Sequence, residues 1–264
     1  MRINLNAAEV FVSTGGRDFD PKGRVNLFIH GSGQSHLSWL LQGRFLANRT
    51  DLQVLNADMP GHGQSGGTPL ATIEEQADWN AALLAELGVE KAYVCGHSQG
   101  GLVALEMVKR HPALADKLIL IATAMAIPVN DWLVDNAAKA QHKAIAAMMA
   151  WGFGTPGDFH DHTMPGISHV NYGSSLMSVN QPGALHADLK ACQAYSGGPD
   201  AAASVSIPTL CVLAQKDKMT PAKAGRQMFA SIEGAQLVEI PGAGHMLPCE
   251  KPDEVNAAIR GFLG

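Results

Sequence analysis

The sequence predicts an α/β protein: a mostly parallel central sheet with helices on both faces, interrupted by a helical insertion. Three observations carry this. Short apolar runs alternate with helix-like segments from residue 25 to 121 and again from 207 to the end, and parallel neighbours need helical crossovers of this length. The pentapeptide Gly96-His97-Ser98-Gln99-Gly100 stands between the apolar run Ala92-Tyr93-Val94-Cys95 and a helix-like stretch over 102–108. Between residues 123 and 206 the alternation stops, and helix-like pieces are separated by Gly, Pro, His and Met with no buried strand pattern.

In chain order, Glu9-Val10-Phe11-Val12-Ser13 reads as an early strand, and turns at Gly15-Gly16 and Asp20-Pro21 lead to the apolar strand 25–29. His30-Gly31-Ser32-Gly33 follows, where glycines let a loop approach a bound group and expose backbone donors, the Ser32 N–H among them. Residues 38–47 are helix-like, 52–57 form a strand, and 58–67 a long turn containing Asp58 and His62. Thr72-Ile73-Glu74-Glu75 has the form of a capping box for a helix to about Leu87, stopped by Gly88. His111-Pro112 ends the next helix, and 117–121 is a strand. A single helix is expected over 134–150. After the insertion come strand 207–214, helix 221–231, strand 235–240 and a closing helix 252–263. The expected division is a core of residues 1–122 and 207–264 with a helical cap of residues 123–206.

With 264 residues, 46% hydrophobic, 16% charged and a formal net charge of −5, the chain has material for a large core. It has no basic footprint for nucleic acid or an anionic membrane surface. Met1-Arg2-Ile3-Asn4-Leu5-Asn6 lacks the apolar centre of a signal peptide, and no apolar run reaches the roughly 18 residues of a membrane span, so a cytoplasmic protein is expected. The four cysteines, Cys95, Cys192, Cys211 and Cys249, show no metal-type pairing and are read as reduced and structural. Oligomeric state, monomer or homodimer, is left open.

Ser98 has two readings. Serine is a preferred helix N-cap, and Gly-x-Ser-x-Gly also arises by chance. A strand–turn–helix context instead favours a nucleophile: the sharp turn needs small neighbours two residues away on each side, here glycines, and the following helix points free N–H groups at a developing oxyanion. A serine hydroxyl needs a base, and the base a carboxylate that fixes its tautomer. His245, in Pro241-Gly242-Ala243-Gly244-His245-Met246, follows the last strand; Asp217, in Gln215-Lys216-Asp217-Lys218, follows the strand before it. All three therefore lie at the C-terminal strand edge, where ligands bind in such sheets.

In these stretches, together with residues 25–33 and 58–66, the chain resembles the α/β-hydrolase superfamily over nearly everything except the cap. The resemblance implies Ser98 as nucleophile, His245 as general base, Asp217 as orienting acid, and the N–H groups of Ser32 and Gln99 as oxyanion donors. Some family members carry the acid after the strand that here ends in Ile121-Ala122-Thr123; no carboxylate occurs there, which favours Asp217. Gly31, His97, Met125, Trp151 and Met246 are the candidates to touch substrate. His97 is otherwise read as packing beside the turn, and His30 and His62 as holding loops by hydrogen bonds. His142, His160, Asp161, His162, His169 and His186 match no standard zinc spacing, and neither metal nor cofactor is expected.

The expected activity is hydrolysis of small to medium, uncharged carboxylic esters through an acyl-enzyme. The cap has no arginine, and its lysines are Lys139, Lys143 and Lys190. Lactonase, thioesterase, C–C hydrolase and cofactor-free haloperoxidase chemistries share the triad. A non-catalytic ligand receptor on the same fold is the alternative of another class.

Overall fold

The computed structural model describes residues 1–154, 166 and 168–264; His160, Asp161 and His162 lie outside the described residues, as does Met164. The described strands are β1 (Arg2–Leu5), β2 (Ala8–Ser13), β3 (Val25–Ile29), β4 (Gln53–Ala57), β5 (Ala92–His97), β6 (Ala115–Ile121), β7 (Thr209–Ala214) and β8 (Gln236–Ile240). They form one sheet in the order β1-β2-β4-β3-β5-β6-β7-β8. From β4 to β8 every pairing is parallel; β1 and β2 add an antiparallel edge.

The central parallel strands are largely apolar because both faces are covered, with Asn26 of β3 and Asn56 of β4 as buried polar exceptions. Leu27, Ile29, Val94, Leu118 and Leu120 pack with α2 (Ile73–Glu86) and α3 (Gln99–Arg110). The alternate residues Phe28, Cys95, Ile119, Ile121 and Val212 face α1 (Leu40–Arg49) and the C-terminal helix. Thr72 caps α2 by accepting the Glu75 N–H, as the capping-box pattern implies.

Two local readings are corrected. Strand β1 was not anticipated: it is four residues long and joins β2 through Asn6 and Ala7, both at positive φ (52° and 63°), without the glycine that marks most such turns. The single helix expected over 134–150 is two, α4 (Asp131–Lys139) and α5 (Gln141–Gly152), broken at Ala140 with φ −153° and ψ 61°. Alanine runs across this break without a stop signal. The break turns Leu133, Val134 and Ala137 and, from α5, Ala144, Ile145, Met148 and Met149 into one apolar cluster. Leu176 and Met177 of α6 (His169–Ser178) and Leu185 and Leu189 of α7 (Ala184–Ala194) complete it, with Met246 reaching in from the loop after β8. Helix α8 (Gly198–Ser204) packs on α3 instead. The remaining helices are α9 (Ala222–Ala230), α10 (Leu247–Glu250) and α11 (Pro252–Leu263). No helix among the described residues is long and apolar enough to cross a membrane.

Candidate active site

Strand β5 sits at the centre of the sheet between β3 and β6, and Ser98 follows it at φ 56° and ψ −123°. This is a costly conformation for a residue with a side chain. It is held by the Ser98 N–H bond to the Ile121 carbonyl (3.0 Å) and by the Thr123 hydroxyl donating to the Ser98 carbonyl (2.7 Å). A Cβ at Gly96 would run into the Gly100 carbonyl, and one at Gly100 into the Ile29 and His30 carbonyls, so the turn cannot close with larger residues. The Ser98 side chain makes no capping bond to α3. Its hydroxyl lies 2.8 Å from His245 Nε2.

His245 Nδ1 is 2.8 Å from Asp217 Oδ2. Because a carboxylate can only accept, Nδ1 carries the proton and Nε2 is free to accept from Ser98. The backbone N–H groups of Met219 and Thr220 each donate to Asp217 Oδ1 at 2.8 Å, and the Thr220 hydroxyl lies 2.8 Å from Oδ2. Burial works to raise the Asp217 pKa, but the charge and hydrogen bond of His245 and the bonds from Thr220 outweigh it and hold the carboxyl below its ordinary value. The site thus keeps an anion beside the imidazole without a neighbouring lysine or arginine bond.

The main chain around His245 is fixed from two sides. His97 Nε2–H donates to the His245 carbonyl at 2.7 Å, and the Gly244 N–H donates to buried Glu250. Burial, reinforced by the charge of His245, pushes the His97 pKa down to about 3, so His97 is a neutral strut under the His245 main chain.

On the other side of Ser98 lies the loop after β3. The Gly31 carbonyl accepts from His30 Nδ1–H (3.0 Å) and from the Gln34 N–H (3.1 Å), which sets the peptide plane carrying the Ser32 N–H. Burial first, then the positive charge of His62, lowers the His30 pKa to about 4, leaving its Nε2 to accept the Met59 N–H. Among the described residues no hydrogen bond takes up the Ser32 or Gln99 N–H. Asp58 accepts the His36 N–H (2.6 Å), His36 Nδ1 (2.9 Å) and the Gln64 N–H (2.8 Å), which ties this loop to the long turn after β4.

A cavity of about 140 Å³ opens on Ser98 and His245. Ser32, Trp151 and Met246 line it, with Leu133, Met148, Leu189 and Met219; Lys218 brings a cation to its wall. A second, apolar hollow shares Gln34 and Met246 with the first and is lined by His97, Phe153, Tyr172 and Met177. Gly31 lines neither cavity; it packs under Ser98 and His97, where a Cβ would come within 3.2 Å of Ser98 Cβ. Met125 also lines neither, packing against the sheet-face core beside Gly198. Of the histidines between β6 and β7, His142 is exposed, His169 stacks on Phe153, and His186 Nδ1–H donates to the Val134 carbonyl. Among the described residues no group of His, Cys, Asp and Glu is arranged to hold a metal ion.

Sequence reading missed Thr220, Glu250, Asn180 and Asp188. The spacing Asp217-x-x-Thr220 was the one available signal, since a carboxylate accepting N–H groups two and three residues on is a local turn pattern. Glu250, six residues beyond the Gly244 it bonds, sits in no such pattern, and Asn180 and Asp188 meet the loops beside Ser98 only across the fold.

The chain is similar to several known proteins. A dihydrolipoyllysine-residue acetyltransferase component of the acetoin cleaving system from Pseudomonas putida is 27% identical over 249 residues, 90% of this chain. The chain spans 62% of that protein's length. A 3-oxoadipate enol-lactonase from Acinetobacter baylyi is 25% identical over 244 residues, covering 90% of this chain and 87% of the relative. The structure of a thermophilic esterase from Thermogutta terrifontis, with malate bound, superposes with a TM-score of 0.84 at 25% identity, over 100% of this chain and 97% of the other. A strained serine between β5 and α3, an acid after β7 and a histidine after β8 all fall within residues 27–258, the stretch that matches the alpha/beta hydrolase family model, and by that match the chain belongs to the alpha/beta hydrolase family.

Proposed function

We propose that the protein is a serine hydrolase that cleaves carboxylic esters of small to medium, largely apolar and uncharged substrates through an acyl-enzyme. The observation that carries this reading is the unbroken chain Ser98 Oγ–His245 Nε2 (2.8 Å) and His245 Nδ1–Asp217 Oδ2 (2.8 Å) at the wall of a cavity. Ser98 Oγ attacks the acyl carbon as His245 Nε2 takes its proton. The tetrahedral oxyanion is met by the N–H groups of Ser32 and Gln99, the proton passes to the departing alcohol, and water repeats the sequence on the acyl-enzyme. The α4–α7 helices act as a cap that excludes bulk water. On this reading the partner is a small molecule, without cofactor, metal, nucleic acid or membrane, in the cytoplasm.

Sustained turnover of a panel of p-nitrophenyl esters of graded acyl length tests the activity against a non-catalytic receptor, which would bind esters without releasing product. The oxyanion assignment has its own contrast. Ser32→Ala keeps the backbone donor and should retain most activity, whereas Ser32→Pro removes the N–H and should lower kcat on the order of 10²-fold or more. A severe loss in a folded alanine variant would assign the role to the hydroxyl instead.

The preference for neutral substrates rests on the apolar wall, where burial contributes about 25 cal/mol per Å². Lys218 favours a second reading, an ester or lactone bearing a carboxylate that reaches this cation at the cavity wall. The expected result is a higher kcat/KM for a neutral ester than for its length-matched analogue with a terminal carboxylate. A preference for the charged analogue that disappears in Lys218→Met would establish the second reading.

A further inference from the structure

A buried polar cluster outside the triad joins α7 to the loops beside Ser98. Asp188, on α7 and 1% exposed, accepts the Gly33 N–H (2.7 Å) and His62 Nε2–H (2.9 Å) on Oδ2, and faces the side-chain amides of Gln99 (3.3 Å) and Gln76 (3.4 Å) on Oδ1. Gln99 Nε2 also bonds Gln76 Oε1 at 2.9 Å. His62 places its other ring nitrogen 3.0 Å from the Pro60 carbonyl. With an acceptor at each nitrogen the ring carries both protons and is the counter-ion of Asp188. Burial disfavours that charge, but the charge and hydrogen bond of Asp188 outweigh it and raise the His62 pKa. Asn180, just before α7, completes the clamp: its Nδ2 donates to the Gly33 carbonyl (2.6 Å) while its Oδ1 accepts the Gly63 N–H (2.8 Å).

Gly33 stands at φ +64° between Leu185 and Met177, so it is gripped at its N–H, at its carbonyl and on its Cα face, each time by residues 177–188. The Gly33 N–H belongs to the peptide that leaves Ser32, and Gln99 follows Ser98. One carboxylate therefore touches both stretches that carry the two backbone donors.

We infer that Asp188, neutralised by His62, is a positioning residue for the oxyanion site: it couples the seating of α7 to the orientation of the Ser32 and Gln99 N–H groups. Asp188 meets no reacting atom. Its contribution is preorganisation, donors held where charge develops so that they need not reorient during the reaction. The arrangement makes the helices between β6 and β7 part of the catalytic machinery as well as a wall of the cavity. A substrate that settles those helices thereby tightens the donors acting on its own carbonyl.

This inference rests on the proposed esterase reading, and the test separates the two. Asp188→Asn keeps the shape and an acceptor for Gly33 while removing the charge that holds His62. The expected result is a kcat 10- to 10²-fold lower on p-nitrophenyl butyrate with KM changed less than threefold. Phenylboronic acid, whose tetrahedral adduct with Ser98 places an oxygen on the same donors, should bind more weakly by a similar factor. His62→Gln should behave alike, and the double variant should lose less than the product of the single losses, since its two amides can bond each other without charge. These variants are compared well below their melting temperatures, and whichever of them folds carries the test. A folded variant with kcat and boronate affinity within twofold of wild type, whatever its melting temperature, would show that the cluster only holds the helices down and would overturn the inference. A wild-type protein that turns over no ester would overturn the esterase reading itself, and the inference with it.

Discussion

Replacing Ser98 by alanine is expected to lower kcat by about 10⁴-fold or more while leaving the fold in place. The expectation follows from what the substitution removes. The Ser98 hydroxyl bonds His245 and makes no capping bond to α3, so the helix loses nothing at its N-terminus. The backbone bonds that hold the positive φ, from Ser98 N–H to Ile121 and from Thr123 to the Ser98 carbonyl, do not involve the side chain and persist in alanine. What disappears is the atom that forms the acyl bond. Residual hydrolysis would have to come from water oriented in the cavity with help from the oxyanion donors alone. Steady-state kinetics on the purified variant, with circular dichroism and a fluorophosphonate label as controls, give the answer. Near-wild-type turnover by a folded, unlabelled variant would refute the nucleophile assignment.

The sheet was legible because its central strands obey one rule: a strand covered on both faces is largely apolar, and 25–29, 92–95 and 117–121 are such runs, interrupted by Asn26 and by Lys117 at the strand entry. Each is bounded by glycine, proline or a polar turn. Strand β1 escaped because Arg2, Ile3, Asn4 and Leu5 form only two alternations, and because the turn after it uses Asn6 and Ala7 where glycine would have announced it. The break between α4 and α5 escaped for a related reason. Alanine is the best helix former, so local propensity through Ala137, Ala138 and Ala140 runs straight across a boundary that tertiary packing sets. Propensity is worth tenths of a kcal/mol per residue, and burial of Leu133, Ile145 and Met148 in one cluster outweighs it.

The candidate triad was legible for a different reason, since each member directly follows a strand of a parallel sheet and topology alone brings those strand ends together. The supporting residues obey no such rule. Glu250 reaches the Gly244 N–H from α10, and Asp188 reaches Gly33 across 155 positions of chain. Neither sits in a motif. A single buried acid on an amphipathic helix is indistinguishable in sequence from a solvated one, and only the positions of His62, Gly33 and Gln99 around it give Asp188 its meaning. His97 illustrates the converse. It lies within the motif and beside Ser98, yet its ring Nε2–H donates to the His245 carbonyl, so the contact it makes is to the main chain of the neighbouring loop.

Asp217→Asn is expected to cost about 10⁴-fold in kcat, and the hydrogen bonds around the carboxylate say why. Both partners of Oδ1 are backbone N–H groups, of Met219 and Thr220, each at 2.8 Å. An asparagine must therefore place its carbonyl oxygen there and turn its NH₂ toward the position now held by Oδ2, against His245 Nδ1. Two N–H donors cannot share that 2.8 Å contact. The imidazole resolves the conflict by moving its proton to Nε2, where it faces Ser98 as a donor and can no longer take the serine proton. The Thr220 hydroxyl can turn its proton wholly to the Ala122 carbonyl, 2.8 Å away, so the loop keeps its bonds and the variant should fold. The loss then belongs in kcat, with KM little changed, because the cavity wall is untouched. In proton NMR the downfield Nδ1–H resonance expected of a histidine bonded to a buried carboxylate should be present in the wild type and absent in the variant. A folded Asp217→Asn protein that keeps kcat within tenfold would move the orienting role to another acid. Retention of the resonance alongside a large loss in kcat would show that the carboxylate acts by its charge and not by fixing the tautomer.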